Sequence, residues 1–267
     1  MRILYVIYGC GFLTLLLLWL GLYNKIRRGV ALGLSFLSLA LSSFLVLQAV
    51  LPGNSFYGKV IDKIDTEHKV VALTFDDGPY PPYTWQLLKL LEEEKVKVTF
   101  FLVGEQAEKY AGIVHEQVKA GHEVALHSYV HKDQLKLTGL EVQENLRQGK
   151  LALQQLTGMD IKYFRPPHGF KDWTVMEESQ RAGLEVVNWS VIPRDWTNPG
   201  AEVIAGRVLE KVKPGAIVLL HDGDSPKYTA SREQTIKATR EIIQSLRAQG
   251  YGFVTISELK QFEKMSK

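Results

Sequence analysis

Two adjacent carboxylates, Asp76 and Asp77, close the run Val70-Val71-Ala72-Leu73-Thr74-Phe75 and are followed by Gly78-Pro79. The apolar run reads as a buried strand, and the Gly-Pro pair as the turn that ends it. Neighbouring carboxylates at the end of a buried strand raise each other's pKa unless a cation compensates. A metal ion is the economical explanation. His127 and His131 supply candidate partners, because they lie four residues apart directly after the short apolar run 123–126. That step returns both imidazoles to one side of a helical turn or tight loop. One carboxylate and two imidazoles would hold a divalent cation on one face and leave positions open for water and substrate.

The elements that position these groups alternate along the chain. Strand-like runs fall at 70–75, 96–103, 123–127, 161–165, 185–189, 216–220 and 253–255, and helical patterns at 83–94, 107–120, 140–156, 173–182, 201–212 and 232–249. Such alternation implies a parallel sheet. With no dinucleotide-type glycine fingerprint, it favours an α/β architecture built as a distorted (β/α)7-type barrel. In such barrels the chemistry sits at the C-terminal strand ends. Asp76, Asp77, His127, Arg165, Asp195 and His221 all fall at or just beyond such ends.

The N-terminal part is of another kind. Residues 3–24 and 30–51 contain no charged side chain, and each matches the roughly 20 apolar residues that cross a bilayer as a helix. Lys25, Arg27 and Arg28 lie between them, and the positive-inside rule puts that connection in the cytoplasm. The expectation is a membrane hairpin over 1–52, a linker over 53–68 and an external domain over 69–262. A cleaved signal peptide fits less well, since the apolar run is long, no small-x-small site precedes Lys25, and a second span follows at once. The single cysteine, Cys10, lies in the first span, so no internal disulfide can form. A net charge of +3 without an arginine-rich stripe gives no sign of a nucleic-acid partner.

With these clusters in order, the chain resembles the polysaccharide deacetylases of the NodB-homology type, carbohydrate esterase family 4. The resemblance rests on Thr74-Phe75-Asp76-Asp77-Gly78, His127-Ser128-Tyr129-Val130-His131, Arg165-Pro166-Pro167-His168-Gly169, Arg194-Asp195-Trp196 and Leu219-Leu220-His221. It implies that Asp77, His127 and His131 bind a divalent metal, most often zinc, with cobalt, manganese, nickel or iron also accommodated. By the same resemblance Asp76 is the catalytic base and Arg165 orients it. His221 is the general acid, held by Asp195, while Trp196 and Leu219 wall the acetyl pocket. The family uses the backbone N–H of residue 168, where tyrosine is usual and this chain has histidine. Ile192 and Trp85 also depart from the family's usual residues.

The residue types suit amide hydrolysis on physical grounds too. A metal lowers the pKa of bound water from about 15.7 towards 7, and a neighbouring carboxylate can take the remaining proton. Expelling an amine requires an acid, which an imidazolium with a carboxylate partner supplies. Tyr80, Tyr83 and Trp85 are candidates to stack on sugar rings. The expected partner is an N-acetylated extracytoplasmic glycan, peptidoglycan first, acted on by an enzyme held in a bacterial cell membrane by two helices. The alternatives are an O-acetyl esterase on acetylated polysaccharide and a non-catalytic glycan-binding membrane protein. Asp222 reads as a residue that ends its strand and caps the next segment.

Overall fold

A computed structural model describes residues 2–263. Its centre is the run that ends in the two carboxylates. β2 (Val70–Asp76) is buried along its whole length, because it is covered on both faces. Around it stand β1 (Val60–Ile61), β3 (Thr99–Leu102), β4 (Glu123–Leu126), β5 (Tyr163–Phe164), β6 (Glu185–Val187), β7 (Ala216–His221) and β8 (Gly252–Phe253). All of these pairings are parallel. The order is β1-β6-β5-β4-β3-β2-β7, with β8 beside the start of β2. Isolated bridges Lys63 to Ala216 and Val191 to Val218 carry the curled sheet round towards closure. The result is the half-barrel form of the expected α/β barrel.

The helices are α1 (Ile3–Leu22), α2 (Arg28–Val50), α3 (Tyr83–Glu94), α4 (Gly104–Lys109), α5 (Ala111–Lys119), α6 (Gly139–Thr157), α7 (Trp173–Arg181), α8 (Ala201–Lys211), α9 (Glu233–Ala248) and α10 (Ile256–Leu259). Thr138 starts α6 with a reciprocal capping box to Glu141. Gly149 of α6 faces the loop after β4 so closely that a Cβ there would stand 2.6 Å from Leu126 and 3.0 Å from the Tyr129 nitrogen. The helix can therefore press onto the segment that carries both histidines.

Two expectations are corrected. The stretch 53–68 is not a free linker, because Tyr57, Val60, Ile61 and Ile64 bury apolar side chains and Val60–Ile61 pairs with β6. The helix expected over 107–120 is two helices, broken at Tyr110, whose φ of −120° is not helical.

α1 and α2 pack side by side, with the Ser38 hydroxyl donating to the Cys10 carbonyl at 3.0 Å. Both are long and apolar enough to cross a membrane. Large apolar side chains on them face no protein, including Leu15 at 70% and Phe36 at 71% exposure. A continuous apolar surface of this extent marks a face that meets another protein or a membrane. The start of α1 and the end of α2 both rest on the sheet domain, through a small core of Ile3, Leu45, Ala49 and Tyr57.

Candidate active site

Asp76 is the last residue of β2, and Asp77 follows with φ 73°, in the left-handed region. Asp and Asn tolerate that conformation better than other residues with side chains. It lets two successive carboxylates face one cleft instead of alternating across the strand. Gly78 comes next because a Cβ there would lie 2.4 Å from the Asp222 carboxylate. Ser128, His168 and Arg194 also have positive φ, at 70°, 63° and 60°. Such strain clusters where a site over-determines its backbone.

The three ligand atoms offered by Asp77, His127 and His131 lie within 4.8 Å of one another. Asp77 Oδ1 stands 3.5 Å from His127 Nε2 and 3.3 Å from His131 Nε2, and it is buried with no hydrogen-bond donor. His127 Nδ1 is 2.7 Å from the Arg165 carbonyl, so it carries the proton and leaves the Nε2 lone pair free. Burial pushes the His127 pKa well down and lowers that of His131, so both rings are neutral. Burial raises the Asp77 carboxyl. Two imidazole lone pairs and an orphaned carboxylate oxygen converging in a buried pocket fit a divalent cation.

Asn145 of α6 holds this loop. Its side-chain oxygen accepts from the backbone N–H groups of Tyr129 at 2.7 Å and Val130 at 3.1 Å. Sequence reading missed it, since a polar residue inside a long helix looks like a solvated position.

Asp76 has a separate set of neighbours. Arg165 Nη1 donates to its Oδ1 at 2.6 Å, and its Oδ2 is 3.8 Å from His127 Nε2. Burial pushes the Asp76 carboxyl up to about 6, restrained by Arg165 and His221, with Asp77 adding to the rise. Arg165 is fully buried and also donates to Thr74 Oγ1 and to the carbonyls of Val187 and Asn188. Its guanidinium lies 3.9 Å from the centre of the Phe101 ring. Asp76 is thereby fixed to the barrel interior.

Across the cleft, His221 Nδ1 is 2.9 Å from Asp195 Oδ1, while Asp195 Oδ2 accepts from the His221 backbone N–H and from Thr235. Burial works against the imidazolium, yet Asp195 raises its pKa to about 9, helped by Asp77 and Asp76. Asp195 is held below its usual value by His221, burial notwithstanding. His221 is therefore protonated at neutral pH, and Asp76 is poised near it. Environments that separate two titrating groups in this way suit one to accept a proton and the other to donate one.

The cleft has a volume of about 820 Å³ and brings together Asp76, Asp77, His127, His131, His168, Trp196, Leu219 and His221. Trp196 is 42% exposed and meets His221 edge-on at 5.4 Å, whereas Leu219 is buried. The His168 ring stands against His131 at 5.2 Å. Tyr80, expected in the substrate pocket, is not among the lining residues. Its backbone is tied to Thr84 at the start of α3, and its ring packs on Tyr83 and Tyr228 instead. Asp222 is buried behind the site, accepting from Thr84 Oγ1 at 2.6 Å, and burial raises its carboxyl to about 7.

The family profile described as Polysaccharide deacetylase matches residues 63–187, which include Asp76, Asp77, His127, His131 and Arg165. A peptidoglycan-N-acetylglucosamine deacetylase of Bacillus cereus is 36% identical over 208 residues, covering 77% of this chain and 95% of the relative. The chain belongs to the polysaccharide deacetylase family. A chitooligosaccharide deacetylase of Sinorhizobium fredii is 35% identical over 201 residues, covering 73% of this chain and 94% of that one. Among solved structures, a peptidoglycan N-acetylglucosamine deacetylase superposes with a TM-score of 0.72 at 31% identity, over 78% of this chain and 95% of its own. A family 4 pseudoenzyme of Bacillus anthracis gives 0.69 at 29%, over 75% and 68%.

In this polysaccharide deacetylase the Asp195–His221 pair makes a pH prediction. In the role of general acid His221 would work while protonated, and kcat/KM should then fall as pH rises through its pKa. In Asp195→Asn that pKa drops, and the alkaline limb should move to lower pH. A pH–rate profile whose alkaline limb stays in place would remove Asp195 from this role.

Proposed function

We propose that this polysaccharide deacetylase is a metal-dependent N-deacetylase, anchored by α1 and α2 in a bacterial cell membrane. It removes acetyl groups from N-acetylglucosamine units of an extracytoplasmic glycan, peptidoglycan first. The observation that carries this reading is the cation-fitting trio Asp77, His127 and His131 flanked by a base, Asp76, and a separate protonated acid, His221.

A cation held by Asp77, His127 and His131, most simply zinc, would acidify a water and polarise the acetyl carbonyl. Asp76 accepts the proton of the attacking water, with Arg165 keeping its carboxylate oriented. The backbone at residue 168 follows two prolines, and its N–H is the first available on that loop to meet the developing oxyanion. His221 gives its proton to the sugar nitrogen as the C–N bond breaks. Leu219 and Trp196 offer the acetyl methyl an apolar wall.

The membrane part of the reading is supported by two long apolar helices with unburied apolar surface and by the basic connection Lys25 to Arg28 at the far end of the hairpin. The test is acetate release from N-acetylglucosamine oligomers and peptidoglycan with zinc, cobalt or manganese supplied. No release from any of them would end the proposal.

O-acetyl ester cleavage is the second reading, because an alkoxide leaves with less help than an amine. His221→Ala should cost about 10²–10⁴ in kcat on the amide and much less on a matched acetyl ester. Equal losses on both would contradict the role of His221 as proton donor to the leaving group.

A further inference from the structure

The hairpin does more than end near the sheet domain. Lys171 and Asp172, which follow the site loop 165–169, are both fully buried and both bind it. Lys171 Nζ donates to the carbonyls of Leu51 at 2.6 Å and Pro52 at 3.3 Å, and its backbone N–H donates to Ala49 at 3.1 Å. Asn188 adds a bond to the Pro52 carbonyl at 2.8 Å. At the other end, Arg2 Nη1 is 3.0 Å from Asp172 Oδ1, the Ile3 backbone N–H donates to Asp172 Oδ2 at 3.1 Å, and Arg2 also reaches the Gln134 carbonyl. Tyr57 donates to the Leu45 carbonyl at 2.7 Å. Buried charge-assisted bonds to both hairpin ends set the orientation of the domain, where a flexible tether would leave it free.

These contacts place the hairpin inside the site. Val50, in the last turn of α2, and Pro52 line the same cleft as Asp76, Asp77, His131 and His168. At about 1.5 Å per residue from Arg28, a hydrocarbon layer of about 30 Å is crossed in about 20 residues, near residue 48. Val50 and Pro52 therefore stand in the interfacial layer. Phe56, Tyr57 and Trp173, with Phe44 rising to them from about one helical turn deeper, form an aromatic cluster beside this layer, with ring separations from 4.7 to 5.9 Å. Such clusters are typical of membrane–water interfaces.

We propose that the cleft opens at the bilayer surface and that its substrate is an N-acetylated glycan carried on the same membrane by a lipid anchor, with Val50 and Pro52 selecting sugars close to that anchor. This rests on the N-deacetylase reading above. A cleft whose wall is the end of a membrane helix admits sugars at headgroup height directly. A strand standing far above the membrane would have to bend down to enter it.

The test uses the full chain in phosphatidylcholine vesicles that carry an N-acetylglucosamine oligomer joined to a dialkyl lipid. In one set the sugar is joined directly, and in the other through a flexible spacer longer than the interfacial layer is thick. Confinement to one vesicle raises the local concentration in both sets, so only the height of the cleft separates them. The expected result is acetate release at least about tenfold faster from the directly joined sugar, since a misplaced tether loses most of its effective concentration. In Arg2→Gln/Lys171→Met the ratio should fall towards one, because the domain can then lift away from the hairpin. Equal rates in the unaltered chain, or a ratio kept by the double variant, would overturn the proposal. Cleavage of the free oligomer alone would overturn it while leaving the N-deacetylase reading intact. No release from free or tethered sugar would overturn both.

Discussion

Replacing Asp77 by asparagine should strip the centre of its metal and abolish deacetylation, whereas replacing Asp76 by asparagine should keep the metal and cost about 10²–10⁴ in kcat. The difference arises from the groups that each carboxylate faces. Asp77 Oδ1 is buried, lacks a donor and lies 3.3 and 3.5 Å from two imidazole nitrogens whose lone pairs are free. Removing its charge leaves two neutral histidines, too few to hold a divalent ion against exchange. Asparagine also accepts the left-handed backbone found at residue 77, so the variant isolates the charge from the conformation. Asp76 is engaged by Arg165 at 2.6 Å and sits 3.8 Å from the nearer imidazole. Its loss would take away the proposed proton acceptor and leave the Asp77–His127–His131 trio in place. Metal content after gel filtration, read beside acetate release, separates the two. An Asp76→Asn protein without metal, or an Asp77→Asn protein that retains both metal and turnover, would reverse the division of labour.

Much of this was legible in the sequence because the site groups follow buried apolar runs, where a carboxylate or imidazole stands out. β2 and β7 are long enough for their pattern to be read, and each runs one residue past its expected end, to Asp76 and His221. β1 has two residues, too few to show a period, and so vanished into an apparent linker. The supports of the site were hidden for a different reason. Thr74 meets Arg165 from 91 positions away, and Lys171 meets Leu51 from 120. Pairings of that range leave no local signature. Thr74 reads as a strand residue, and nothing in the sequence singles out Lys171, although it is fully buried and burial lowers its pKa to about 8. Tyr80, an aromatic after a Gly-Pro turn, looks like a sugar platform in the sequence, and in the structure its ring packs on Tyr83 and Tyr228.

Arg165→Met should be the most damaging change to stability among the site residues, and the damage should depend on pH. The guanidinium is wholly buried and joins β2 to β5 and β6 through Thr74, Asp76, Val187 and Asn188. Breaking a buried ion pair by removing one partner costs about 3–5 kcal/mol, since the other charge stays buried and unpaired. In a domain of this size that lowers the unfolding midpoint by on the order of 10 °C. Burial already raises the Asp76 carboxyl to about 6, and Arg165 is the largest influence holding it down. Without Arg165 the folded-state pKa rises further above the unfolded value. A raised carboxyl favours the folded state fully below the unfolded pKa and loses that contribution as pH rises through the folded one. The deficit relative to the native chain should therefore be largest near pH 8 and shrink towards pH 5, where Asp76 becomes protonated. Thermal unfolding of the detergent-solubilised, chelator-treated protein across that range reads it directly. A deficit that is the same at both ends of the range would mean that Arg165 acts by packing against Phe101 and by its carbonyl bonds, with no part in setting the ionisation of the base.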